Sequence, residues 1–454
     1  MDKIEDVESL KIPKSGIDKY RHIVCVTEDI KYDSDKKICA ESINGGADTI
    51  WPESWKDWSQ VQGMSTHLAH HSIFSLQNIC RYYEVKELPE NVNYFYLINI
   101  LNPLYFERNY KKGLSGISSK VVQDLKDKKA KLILVQATEG NTCTRGFERE
   151  LLIVQEWIDK ANIPGEAVCY INSNLLSRKF AQEIFKVSYE VIGLSTFEGW
   201  NNIFNYKAVD YKPIDNNSLY LNLNRTPRYH RICLLAELNK LNLLDKGLNS
   251  WNLTTAPNLL DDINLYKRAI ESYNEEAVEA SVYFFNNPVK VLDTSVVPNL
   301  AVNVNKQLYE QSFVSLVTET IVDNESIFLT EKTWKPIIMG HPFLLLCANG
   351  SLAVLKSFGF KTFDKWFDES YDNAASLKDK IQIITNNLKK YENKSIDELK
   401  VIREEMQEIC DFNRSYLENR MLYAKNLDYH FALNSAGIRS YPVIETLLSM
   451  YNNW

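Results

Sequence analysis

Four groups of residues along the chain carry usable chemistry. The first is Thr330-Glu331-Lys332, which follows a β-type run and opens the short apolar stretch Trp334, Ile337 and Ile338 that stops near Gly340. A hydroxyl, a carboxylate and an ammonium in this order suit a helix start, because Thr caps the end and Glu favours the positive pole of the dipole. Such a turn beyond a strand of an α/β sheet lies where phosphorylated ligands bind. There Glu331 can accept from ribose or sugar hydroxyls, and Lys332 can neutralise a diphosphate. The second group is Arg225, Arg228 and Arg231 with His230, in the run NRTPRYHR at the start of a helix expected over residues 228–244. Cations oppose the dipole at that end, so an anion held between helix and guanidinium groups reconciles them. The third is Glu139, just past the buried run KLILVQ, where partial burial would raise its pKa toward that of a general base. The fourth is His67, His70 and His71 on a helix expected over residues 64–83, acceptor-side candidates that rival Glu139 for the proton. Their spacing also suits a metal, but no third ligand of diagnostic spacing accompanies them, so the expected metal content is none.

The elements that must position these groups alternate as strand and helix. Strands are expected over residues 22–26, 93–101, 131–136 and 166–171, with helices over 121–129 and 147–161. The stretch from 131 to 171 forms a βαβ unit, the mark of a parallel sheet. A polar, Pro-containing segment at 206–217 precedes a restart of the pattern. There strands are expected at 219–223, 313–317 and 342–347, with helices at 228–244, 261–282 and 351–358 and a short segment at 250–253 between the first two helices. Asp368, Glu369 and Asp372 are placed to order the helical segment that follows, over 374–426. The terminal segment 431–454 is apolar enough to dock.

Composition bounds the class. A chain of 454 residues is too long for one core and suggests two α/β-sized domains. With 45% apolar and 24% charged residues it has the balance of a folded globular protein. A net charge of -7 and a pI near 5.7 argue against wrapping nucleic acid by general phosphate attraction, while leaving a local basic groove open. The eight cysteines are scattered without a CxxC pair, which points to reduced, mostly buried thiols. The N-terminal run is charged and no apolar run reaches a membrane span, so a cytoplasmic protein without a membrane partner is expected. Neither GxGxxG nor GxxxxGK[ST] occurs, which disfavours a dehydrogenase or a P-loop NTPase.

The central stretch resembles the donor-binding motif of the α-1,3-fucosyltransferase family, a strand ending in Glu-Asn, a short loop, then Thr-Glu-Lys-Leu-Trp and a Gly-x-Val-Pro-Val strand. The matching positions are Glu319, Thr330, Glu331, Lys332, Trp334, Gly340 and Pro342. The loop here is longer, with Ile327-Phe328 where that family has Asp-Tyr, and Pro336 replaces its Asn-Ala continuation. The chain is more similar to uncharacterised phage and large-virus glycosyltransferases that share FLTEKTWKPI, the NRxPRxHR box and GFxTFxxWxDESYD. The resemblance implies an α/β fold of two Rossmann-like domains facing across a cleft, the GT-B arrangement, with a C-terminal helical return. The expected domains are an acceptor domain over residues 1–213, a donor domain over 214–425 and a closing helix over 426–454. It implies an inverting transfer of a sugar from a UDP- or GDP-linked donor to an acceptor hydroxyl, without a metal cofactor. Glu139 would be the catalytic base, with Arg225, Arg228, Glu319, Thr330, Glu331 and Lys332 around the donor. The acceptor would be a glycan or a hydroxymethylated base of phage DNA, and a viral enzyme would work in the host cytoplasm. The triplet Asp33-Ser34-Asp35 mimics the DxD motif of metal-dependent transferases, but it lies in a Lys-rich loop near the N-terminus and is discounted. A different class stays open: a glycan- or nucleotide-binding protein on a transferase-like scaffold, without turnover.

Overall fold

A computed structural model describes residues 23–27, 80–84, 92–99, 117–136, 144–193, 218–224, 228–252, 271, 289–290, 304–322, 326–422 and 450. The chain divides into two compact units, Met1–Ile203 with Arg420–Trp454, and Phe204–Asn419. Each is built on a mainly parallel sheet, so the protein is an α/β protein.

The first unit contains β1 (Ile23–Thr27), β2 (Cys80–Glu84), β3 (Tyr94–Asn99), α1 (Ser119–Lys126), β4 (Ala130–Gln136), α2 (Thr144–Ala161), β5 (Val168–Asn172) and β6 (Glu190–Gly193). Its six strands lie in the order β2-β1-β3-β4-β5-β6, all pairs parallel. The βαβ unit over 131–171 is thus present as β4-α2-β5. Strand β5 is buried at every position, as a parallel strand covered on both faces must be. Leu132, Leu134, Leu151, Val154, Ile158, Val168 and Tyr170 form the core between sheet and helices. Tyr170 keeps its hydroxyl satisfied inside by donating to buried Glu150 at 2.6 Å. The ammonium of Lys131 donates to the carbonyl of Met450, tying the C-terminal segment to this unit.

One expected element is corrected here. The helical spacing over 64–83 predicts a helix end at residues 80–83, but Cys80–Glu84 is a strand in register with β1, Ile23 opposite Cys80 and Thr27 opposite Glu84. Ile79 and Tyr83 fit a helical spacing, yet aromatic residues also suit a sheet, and a parallel partner more than fifty residues upstream decides the matter. Strand β6 had no counterpart in the expected pattern.

The second unit contains β7 (Ser218–Leu223), α3 (Tyr229–Lys240), β8 (Leu248–Asn252), β9 (Val289–Lys290), α4 (Lys306–Glu310) and β10 (Ser312–Thr318). It continues with α5 (Glu331–Ile338), β11 (Phe343–Leu346), α6 (Ser351–Ser357), α7 (Leu377–Lys389) and α8 (Ile396–Leu422). The sheet order is β11-β10-β7-β8-β9, parallel except for the last pair. Counted within the unit this is 3-2-1-4-5, the order of a doubly wound sheet, and it reverses direction between β7 and β10. The expected helical stretch over 261–282 lies outside the described residues apart from position 271.

Helix α8 locks the far end of this unit. The Arg403 guanidinium, fully buried, donates to the carbonyls of Phe313 at 3.1 Å and Gly340 at 3.0 Å, joining the start of β10 to the end of α5. Gly340 sits at φ 58° just past that helix, the left-handed position that favours glycine at a helix end. Asp372 is a second correction. Its carboxylate accepts from the amides of Leu352 at 3.0 Å and Ala353 at 3.2 Å, so it caps the preceding helix α6. The following helix α7 is capped by Ser376, which accepts from Asp379. Among the described residues no helix is long and apolar enough to cross a membrane, and Cys169, Cys233, Cys347 and Cys410 are free and buried.

Candidate functional site

In a doubly wound sheet the carboxyl ends of the two strands flanking the reversal part company, leaving a crevice for ligand. In the second unit those strands are β7 and β10, and the polar residues at their ends are buried and mutually bonded. Asn222 donates to the Leu316 carbonyl at 2.6 Å, Asn224 donates to the Asn222 side chain at 2.5 Å, and the Thr318 hydroxyl donates to Asn224. This chain of amides and hydroxyl explains why a buried strand carries two asparagines: each polar group finds a partner across the gap.

Beyond β10 the chain loops out and returns as α5. Thr330 is its N-cap, in extended conformation, accepting from the Lys332 amide at 3.3 Å. Glu319, fully buried, closes the loop. Its carboxylate accepts from the amide of Thr320 at 3.2 Å, the amide and hydroxyl of Thr330 at 2.8 and 2.7 Å, and the hydroxyl of Thr333 at 2.6 Å. Trp334, Ile337 and Ile338 bury the apolar face, with Trp334 against the ring of Phe360 at 5.8 Å. Burying a side chain of that size contributes roughly 2–3 kcal/mol, which holds the helix down while its polar first turn stays at the sheet edge.

The first turn carries a cation and an anion side by side. The Lys332 ammonium donates to Glu331 at 2.7 Å, Thr330 at 3.1 Å and Thr320 at 3.3 Å, with its side chain 27% exposed against 17% for Glu331. Burial pushes the Glu331 carboxyl upward, but the Lys332 charge and hydrogen bond, with the charge of Lys335, outweigh it and hold the group below the ordinary carboxylate range. An ammonium with partial access to water can exchange a carboxylate partner for a phosphate.

The arginine box sits beside the same sheet edge. Arg228 occupies the N-cap position of α3 and is half-buried. His230 Nε2 donates to the Glu319 carbonyl at 2.9 Å, and Arg231 donates to the carbonyls of Thr318 at 3.3 Å and Glu319 at 3.4 Å. Both side chains are buried.

The structure therefore brings Glu319, Thr330, Glu331, Lys332 and the start of α3 to one end of one sheet. Two roles change. His230 and Arg231, expected beside an anion, instead bind main-chain carbonyls at the end of β10. The amides of Thr330, Lys332 and Thr333 are already bonded, the last to the Thr330 carbonyl at 3.1 Å. An anion at this turn would meet the Lys332 ammonium and not a ring of free amides. Arg225, Glu139, His67, His70, His71 and the triplet Asp33-Ser34-Asp35 lie outside the described residues. Asn222, Asn224 and Thr320 were not foreseen; two asparagines alternating with leucines in the buried run LYLNLN were the available signal. Among the described residues no group of three or more His, Cys, Asp or Glu could hold a metal ion.

No protein-family model and no curated protein matches the sequence.

Proposed function

We propose that the protein is a nucleotide-sugar-dependent glycosyltransferase of the two-domain GT-B type. The donor binds at the carboxyl edge of the second unit's sheet and the acceptor enters from the first unit across a cleft. One observation carries the reading: the strand order reverses between β7 and β10, and Thr330-Glu331-Lys332 follows the end of β10 at that reversal. In this reading Lys332 takes a diphosphate oxygen, Glu331 then accepts from ribose or sugar hydroxyls, and Arg228 with Arg225 adds charge from the other side of the reversal. Stabilising a leaving diphosphate is an electrostatic task, and fixed cations perform it in place of a divalent ion. Transfer is inverting, with Glu139 of the first unit taking the proton of the acceptor hydroxyl. The acceptor is a glycan or a hydroxymethylated base of phage DNA. Salt separates the two, since a DNA acceptor loses affinity as salt rises while an uncharged glycan does not.

The test is a thermal-shift panel of UDP, GDP and their hexose conjugates. A ligand at a hundredfold excess over its Kd stabilises by about 2.7 kcal/mol. Ligands that stabilise the protein are then assayed for transfer, with and without EDTA. Stabilisation by a nucleotide sugar with EDTA-resistant transfer supports the proposal. No shift with any nucleotide overturns the donor site, and binding without turnover favours a recognition protein on the same scaffold.

A further inference from the structure

Every hydrogen-bonding group of Glu319 is engaged, and its partners come from three different elements. Its amide donates to the Leu346 carbonyl at the end of β11 at 2.9 Å. Its carbonyl accepts from His230 and Arg231 in the first turn of α3. Its carboxylate accepts from Thr320 and from Thr330 and Thr333 at the start of α5. With both carboxylate oxygens doubly engaged and the side chain fully buried, Glu319 has no acceptor capacity left for a sugar hydroxyl.

The two sequence boxes, NRTPRYHR and FLTEKTWKP, therefore meet at one residue that belongs to neither. We infer that Glu319 is a positioning residue, which fixes the start of α5 against the start of α3 and so sets where the Lys332 ammonium stands. The link is short. Thr330 accepts from Lys332 through its hydroxyl and donates through the same hydroxyl to Glu319, while the other threonine beside Lys332, Thr320, gives its amide to Glu319. The one carboxylate thus holds the Thr330 hydroxyl directly and the Thr320 residue through its main chain, and these are the two threonines that orient the ammonium. A carboxylate is required: an amide at this position offers one acceptor oxygen, too few for four donors. The bearing of this geometry on nucleotide affinity rests on the donor role proposed above for Lys332; the positioning itself does not.

The test uses the full-length protein with Glu319→Gln and, as a milder change, Thr333→Val, which removes a single donor to Glu319 at near-constant volume. The first readout needs no ligand. Lysine acylation with an N-hydroxysuccinimide acetate, followed by peptide mass spectrometry, reports the access of each amine. In Glu319→Gln the Lys332 rate should rise several-fold, and less in Thr333→Val, while buried Lys380 of the same unit stays protected. The second readout is a double-mutant cycle on UDP or GDP affinity by calorimetry. Lys332→Met alone should weaken binding about tenfold or more, whereas in the Glu319→Gln background it should change affinity by less than about twofold. An unchanged Lys332 rate overturns the inference, as does a rate that rises together with that of Lys380, which marks general loosening. If Glu319→Gln does not fold, the Thr333→Val rates decide on the same criteria. A local rise at Lys332 in a protein that binds no nucleotide sustains the positioning role and removes the donor reading alone.

Discussion

Replacing Lys332 with Met removes the ammonium and keeps most of the aliphatic stem, so the packing of α5 is little disturbed. In the free protein the ammonium is shared among Glu331, Thr330 and Thr320 at 2.7 to 3.3 Å. In the proposed donor site a diphosphate would exchange the first of these for a phosphate oxygen, a charge-assisted hydrogen bond worth about 1.5–3 kcal/mol, or roughly 10- to 150-fold in Kd. A second effect adds to the first. Without Lys332 the Glu331 carboxylate is no longer neutralised, and like charges about 5 Å apart repel by on the order of 3 kcal/mol at an effective dielectric of 20 before salt screening. Salt screening roughly halves the repulsion, so even with the charge-assisted bond at its lower bound of about 1.5 kcal/mol the two together should weaken UDP or GDP binding by about 100-fold or more. Adding Glu331→Gln removes the repulsion and should return part of the loss, to about tenfold. Calorimetry at pH 7.5 in low and moderate salt measures both, and the rescue should shrink as salt rises. A Kd for Lys332→Met within about twofold of wild type for both nucleotides would refute the reasoning, because a contact worth about 1.5 kcal/mol or more is lost as at least about tenfold. Full loss without rescue by Glu331→Gln would refute the repulsive half alone.

Three further outcomes follow from the same geometry. The Glu331 carboxyl is held below its unfolded range, so its contribution to stability is present above the unfolded glutamate pKa of about 4.3 and is lost as pH falls through the lower folded value. Urea melts of wild type should steepen their loss of stability below about pH 4.5 relative to Glu331→Gln, and parallel curves for the two proteins would contradict this. Arg403→Met removes two buried donors from the carbonyls of Phe313 and Gly340 and should cost about 3 kcal/mol or more in urea unfolding; a loss under about 1 kcal/mol would show that the two carbonyls find other donors. Glu139→Gln preserves size but cannot accept a proton, so kcat should fall about 100-fold or more with donor affinity unchanged. Near wild-type kcat would move the search for the base to His67, His70 and His71.

What the sequence made legible, and what it hid, divides along a physical line. Helix α5 was legible because its signals are local: a Thr cap, an acid in the first turn, apolar residues spaced to one face and a Gly at the end. Strands β4, β5, β10 and β11 were legible as apolar runs of strand length. Partners distant in sequence were not. His230 and Arg231 look like anion ligands beside Arg228, but their acceptors are carbonyls 87 to 89 positions later, at the end of β10. Asp372 looks like a cap for the next helix, and the chain folds back to set it on the one before, about twenty positions earlier. Strand β2 reads as a helix end until β1 is placed beside it. Glu319 reads in the sequence as one residue of a donor site, and its saturation by four internal donors is visible only with the loop closed.

That closed loop also sets where this protein can change without harm. Glu319 and Thr330, eleven positions apart, are bonded directly, so the intervening chain leaves the sheet and returns to it through a fixed gate. Lengthening a loop whose ends are already fixed costs little, about 0.6 kcal/mol for each doubling. Insertions between Val322 and Ser326 should therefore leave β10 and α5 in register. For an engineer this is a graft point: a peptide placed there would be spliced between two anchors that hold the scaffold still.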